Sequence, residues 1–172
     1  MPIVTSLRNT NLTETHWEEI RTAVGPGLEI NNEDFSLQTL LEMNVVQYQE
    51  DIVGVSARAT GEWKLRTSLT ELIDLWKTVN FTVKPHKDKQ DSFVLSDMDT
   101  IFTFLDEGQA TINMILGNRF VKVMRKEAED FRKSLLNLST AVDEWILLQQ
   151  QWIYLENVFQ APDIKKYLGP AA

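Results

Sequence analysis

Between residues 118 and 159 apolar side chains recur at alternating three- and four-residue steps: Val121, Met124, Ala128, Phe131, Leu135, Leu138, Val142 and Trp145, then Gln149 and Trp152. This is a heptad seam, the pattern of a helix that hides one stripe against a neighbour. No Gly or Pro interrupts it, so the stretch predicts one helix of roughly 40 residues, about 60 Å long at 1.5 Å per residue. A typical globular helix has about a quarter of that length. Such a rod suits the transmission of force over distance better than the enclosure of a small substrate.

A second seam precedes it. Asn32 and Phe35 open a run of Leu37, Leu41, Val45, Tyr48, Ile52, Val55 and Ala59 that resumes at Leu69, Ile73 and Trp76, with Glu62 and Arg66 as polar interruptions. Gly54 and Gly61 each cost a helix roughly 1 kcal/mol relative to Ala, so a bend near Gly61 competes with an unbroken rod. Upstream, Thr13 with His16, Trp17 and Ile20 opens a short helix that Gly25-Pro26-Gly27 ends. Between the seams, Phe81-Thr82-Val83 and Ser92-Phe93-Val94-Leu95 flank a polar turn over 85–91 and read as a β-hairpin. Ser96 or Asp97 then caps a helix carrying Ile101, Phe102 and Leu105. Gly108 marks its end, and a brief helical turn over 112–116 leads through Gly117 into the last rod.

The expected organisation is a short N-terminal helix and loop (1–31), a first long rod (32–80), a hairpin connector (81–96), short helices (97–117), a second long rod (118–160) and a tail (161–172). The fold class is mainly α: long antiparallel amphipathic helices, as in a spectrin-like bundle, with a small β-hairpin connector. Trp145 lies in the seam, and as a core residue its replacement by Ala is expected to cost about 3–5 kcal/mol through the cavity left behind.

The chain's 172 residues, 43% of them hydrophobic, suffice for one sizeable core or two small ones. A net charge of −8 and a pI near 4.8 argue against nucleic acid or an anionic membrane as direct partners. With no Cys, disulfides, thiolate metal sites and thiol catalysis fall away together, which fits a reducing compartment. No apolar run approaches the roughly 20 residues that span a bilayer.

Candidate chemistry is sparse. No Gly-x-x-x-x-Gly-Lys-Ser/Thr loop is present to cradle a nucleotide phosphate. His16 and His86 lie far apart and lack metal-ligand spacing; His16 reads as a packed or capping residue, and His86, in the polar turn, as solvent-exposed. Asp88, Asp91, Asp97 and Asp99 lack the Gly and Glu of a calcium loop and suit turns and caps. Asp106 and Glu107, adjacent on a helix, point about 100° apart and cannot flank one substrate atom. No catalytic, cofactor or metal residue is assigned.

The distinctive surface is at the end of the second rod, where both helix faces become apolar: Trp145, Ile146, Leu148, Trp152, Ile153, Leu155, Val158 and Phe159. One partner helix cannot cover all of these. Either a further helix of the same protein packs there or the chain is a piece of something larger. A free-standing, non-enzymatic scaffold that binds partner helices accounts for the seams equally well.

The same segment, Asp143-Glu144-Trp145, then Gln149-Gln150-Gln151-Trp152-Ile153-Tyr154-Leu155-Glu156-Asn157-Val158-Phe159 and Asp163-Ile164, resembles the linker region of dynein heavy chains. His16-Trp17 with Ile20, Leu40-Leu41, Tyr48, Ala59, Glu62, Trp76, Leu105-Asp106-Glu107, Arg119-Phe120-Val121 and Glu129-Asp130-Phe131 follow the same order, so the likeness spans nearly the whole chain. Thr15 and Phe131 depart from the family, which usually has Arg and Trp there. The resemblance implies a stretch of a helical lever arm lying across a ring of ATPase modules and bending as the first module hydrolyses ATP. The motif residues His16, Trp17, Trp145, Trp152, Ile153, Tyr154, Leu155, Glu156 and Phe159 would then be structural or interface positions. The implied partners are the following linker segment and the AAA+ ring, with microtubules reached only through the parent chain. ATP and magnesium would belong to the parent's modules, and the general likeness points to the axoneme of a cilium or flagellum.

Overall fold

Helices dominate the chain, as the two seams require. The computed structural model describes residues 2–25, 43–87 and 91–168. Its elements are α1 (Pro2–Leu7), α2 (Glu14–Val24), a 3-10 turn (Val45–Tyr48), α3 (Gln49–Thr78), strands β1 (Thr82–Pro85) and β2 (Phe93–Ser96), α4 (Met98–Leu116), a second 3-10 turn (Val121–Met124), α5 (Arg125–Gln160) and α6 (Pro162–Leu168). The fold is mainly α with one small antiparallel hairpin. The expected helix start at Asn32 and Phe35, the seam positions Leu37 and Leu41, and Asp88 of the acidic group lie outside the described residues.

Two compact units divide the chain: Met1–Glu71 with Gly117–Arg125, and Leu72–Leu116 with Lys126–Ala172. In the first, Ile3, Ile20, Val45 and Ile52 form a buried cluster onto which Leu7, Trp17, Tyr48 and Val55 pack. Polar contacts fix its helices in register. Thr13 opens α2, and its N–H donates to Nδ1 of His16 at 3.2 Å, so a histidine fills the place of the usual Glu or Gln of a capping box. Asn9 Nδ2 reaches the carbonyl and hydroxyl of Ser56 and the hydroxyl of Thr60, each at 2.9 Å. Gly25 ends α2 with φ at +118°, a conformation that side chains other than hydrogen rarely adopt.

Helix α3 is continuous through both Gly54 and Gly61, 30 residues in all. The glycine at 61 has a packing reason: a Cβ there would fall 2.3 Å from Cδ2 of Phe120, whose ring carries the Arg119 guanidinium 4.5 Å from its centroid. The buried stripe of α3 runs Ile52, Ser56, Ala59, Leu65, Leu69, Leu72. Between Ala59 and Leu65 its steps are shorter than a heptad's, so the stripe winds around the helix and takes in Leu65 and Leu72, which the seam read from the sequence passes over. Glu62, read as an interruption, lies on that stripe, its side chain 16% exposed and paired with His16.

In the second unit α3, α4 and α5 meet around Gly108. A Cβ there would lie 2.9 Å from the Trp76 indole nitrogen and 3.4 Å from Leu135 Cδ1. The expectation that Gly108 ends a helix is therefore corrected: α4 runs on to Leu116 as a single 19-residue helix, and the glycine marks a close approach of the tryptophan. The Trp76 N–H is buried without a hydrogen-bond partner among the described residues, a cost accepted for this contact.

Alanine substitution separates the two glycines of α3. At Gly54 a Cβ meets nothing within 4 Å among the described residues, so Gly54→Ala should stabilise the chain by about 0.5–1 kcal/mol through helix propensity. Gly61→Ala must displace the Phe120 ring and should destabilise by about 1–3 kcal/mol. Equilibrium urea unfolding of the two variants checks both signs.

Candidate functional site

The seam of the second rod is buried as far as the middle of α5 and then turns outward. Ala128, Leu135 and Val142 are buried, and Phe131 and Leu138 are half-buried. Trp145 then stands 60% exposed. It is therefore not the core residue the seam predicts, and its truncation opens no closed cavity, so the expected loss of about 3–5 kcal/mol does not apply. Beyond it Leu148, Trp152, Tyr154, Leu155 and Phe159 are also exposed, Tyr154 by 69%. Ile153 is half-buried. The exposed apolar side chains of this helix end recur along the chain from Trp145 to Phe159.

The remaining side of this helix end is occupied by the hairpin, held by polar contacts. Strands β1 and β2 pair antiparallel with Val83 opposite Leu95 and Lys84 opposite Val94. Gln149 on α5 addresses the outer edge of β2: its Oε1 accepts from the Leu95 N–H at 2.7 Å, and its Nε2 donates to the Leu95 carbonyl at 3.2 Å. One side-chain amide thus does what the next strand of a sheet would do. Near the turn, His86 Nε2 meets Glu156 Oε2 at 2.5 Å, and the Lys87 ammonium donates to the same oxygen and to Asn157 Oδ1, both at 2.9 Å. The Trp152 ring lies 4.9 Å from the imidazole at 58°.

His86 is thus not solvent-exposed, as its place in a polar turn suggests, but 6% exposed. The reason is tertiary: the 70-residue separation from Glu156 hides the pairing from any local pattern. Glu156, read as a motif residue, is the acceptor at which the hairpin is fastened, its side chain 9% exposed.

His16 and Trp17 lie in the first unit, apart from this group in the chain. His16 is 5% exposed, and both ring nitrogens are engaged, Nδ1 by Thr13 and Nε2 by Glu62 at 3.2 Å. The Thr13 N–H donates to Nδ1, and Nε2 faces the Glu62 carboxylate. Both ring nitrogens are thus taken up, one at the cap of α2 and one by the contact that joins α2 to α3. Arg58 continues the joint by bridging Glu19 and Glu62. Trp17 is a half-buried part of the apolar cluster. Among the described residues no three His, Cys, Asp or Glu side chains group as a metal site, and no helix is long and apolar enough to cross a membrane.

The described residues define a helical segment whose longest helix ends in an exposed apolar surface. Comparison with known families makes this specific: residues 1–171 match the family described as "Dynein heavy chain, N-terminal region 2". The chain is 30% identical over 172 residues to human "Dynein axonemal heavy chain 6" and 30% identical over 168 residues to human "Dynein axonemal heavy chain 2". It is also 30% identical over 173 residues to the "Dynein gamma chain, flagellar outer arm" of Chlamydomonas reinhardtii. Between 98% and 100% of this chain is covered in each case, but only 4% of each relative's length. The chain belongs to the dynein heavy chain family and corresponds to that N-terminal region.

Removing one anchor should loosen the hairpin without unfolding the helices. Gln149→Ala leaves the Leu95 N–H and C=O without their partner and should cost about 1–3 kcal/mol, with faster hydrogen exchange at the Leu95 amide as the site-specific readout. Glu156→Ala deprives His86 and Lys87 of their shared acceptor and should cost a similar amount of about 1–3 kcal/mol, with the faster exchange this time at the His86 amide, which bonds the Ser92 carbonyl.

Proposed function

We propose that this chain is a stretch of the linker, the mechanical lever arm of an axonemal dynein heavy chain. There it passes the ATP-driven changes of the AAA+ ring into movement along a microtubule in a cilium or flagellum. The observation that carries the reading is the match to the N-terminal region of dynein heavy chains over residues 1–171. Long helices and similarity to axonemal and flagellar chains support it. On this reading the chain supplies stiffness and contacts, and the nucleotide and its magnesium belong to the parent's ATPase modules. The uncovered end of α5, from Trp145 to Phe159, meets the following segment of the same heavy chain and helps set the hinge.

The test uses the whole motor. Ile153→Ala with Tyr154→Ala in the parent heavy chain should slow microtubule gliding about two-fold or more while ATP hydrolysis continues, the range expected from coupling losses of about 0.5–2 kcal/mol. Unchanged gliding would remove this surface from the hinge.

A further inference from the structure

The two edges of the hairpin are unequal. His86 donates its N–H to the Ser92 carbonyl at 2.8 Å, so 86 and 92 form a hydrogen-bonded pair. With the register of Lys84 opposite Val94 and Val83 opposite Leu95, alternation makes 84/94 and 82/96 hydrogen-bonded pairs too. The pairs 83/95 and 85/93 then turn their N–H and C=O groups outward. On the β2 side the outward groups of Leu95 are taken by Gln149. On the β1 side the outward N–H and C=O of Val83 find no partner among the described residues, and all four residues of β1 are exposed. Pro85, which has no N–H, occupies the next outward position, the kind of place where an edge strand tolerates proline.

Beside this open edge lies an apolar cavity of about 410 Å³, lined by Phe81, Val83 and Leu95 of the hairpin and by Leu138, Val142 and Trp145 of α5. Phe81 and Val83 alternate along the strand side, so they face the cavity together. Along α5 the charge is of one sign here: from Ser134 to Gln160 the only ionisable acids and bases of charged type are Asp143, Glu144 and Glu156. Asp143 and Glu144 are exposed between the cavity residues Val142 and Trp145.

We propose that the outer edge of β1 takes up an extended peptide segment of a partner protein as a third strand, an aliphatic residue of that segment entering the cavity and Lys or Arg residues flanking it. The strand edge supplies main-chain hydrogen bonds, the cavity selects alternate side chains, and the acidic helix wall selects the flanking charge. The inference shares only Trp145 with the α5 surface assigned above to the following segment, and rests on the open edge of β1 and not on the lever-arm reading.

The probe is a pentapeptide with blocked ends, Lys-Ile-Thr-Ile-Lys, titrated into the 172-residue chain by NMR. Binding is expected to shift the Val83 amide and the Trp145 indole and to be lost on reversing the charge to Glu-Ile-Thr-Ile-Glu. Val83→Pro removes the outward N–H while leaving the bonded pairs on either side, and should weaken binding about ten-fold. Ala141→Phe, at an exposed helix position lining the cavity, should weaken it comparably by filling the space, with the Leu95 amide resonance reporting an intact hairpin in both variants. No shift at millimolar peptide, equal binding to Val83→Pro, or self-association of the chain through β1 that Val83→Pro abolishes would each overturn the proposal.

Discussion

A helix of 36 residues satisfies its own backbone but not its side chains, and everything else in the second unit follows from how α5 is covered. Its first half lays Ala128, Leu135 and Val142 into the core. Its second half has the hairpin along one side and an exposed apolar surface on the rest. The hairpin is itself too small to be stable alone and takes its order from the helix through Gln149, Glu156 and Asn157. Covering and being covered are mutual here: the helix supplies the hydrogen bonds that the two strands lack, and the strands shield part of what the helix exposes.

Close approach is managed by glycine at two separate places. Gly61 gives way to Phe120 in the first unit, and Gly108 to Trp76 in the second. In each case part of an aromatic ring occupies the space a Cβ would take, a contact that gains dispersion. At Gly108 the contact coexists with a buried indole N–H that has no acceptor among the described residues. Both glycines occupy helix interiors, where their propensity cost of about 1 kcal/mol is offset by packing.

Much of this architecture is legible in the sequence because periodicity is a local signal. The rod of α5, the two strands and the short helix at Thr13 all declare themselves within windows of a few turns, and the ordered Trp, Gln and Tyr-Leu-Glu motifs carry the family likeness. What the sequence conceals is pairing over long separations. Nothing near His86 announces Glu156, and Glu62 looks like a flaw in a seam until His16 is placed against it. Gly108 misleads because the rule that glycine ends helices is statistical, whereas the presence of Trp76 is particular. The one legible hint was Gln149, a polar residue on an apolar stripe. Such a residue asks for a partner, and it has one in the backbone of Leu95.

Both long helices begin in the same unusual way, each preceded directly by a four-residue 3-10 turn, Val45–Tyr48 before Gln49 and Val121–Met124 before Arg125. Asn44 enters the first of these turns in the left-handed region, at φ of 50°, a conformation asparagine tolerates better than most residues. Residues in a 3-10 turn rise about 2.0 Å each against about 1.5 Å in an α-helix. Four residues therefore hold about 2 Å of axial slack that rewinding would take up. Each rod thus carries at its root a short length of chain wound at a different pitch from the rod itself, which rewinding would shorten.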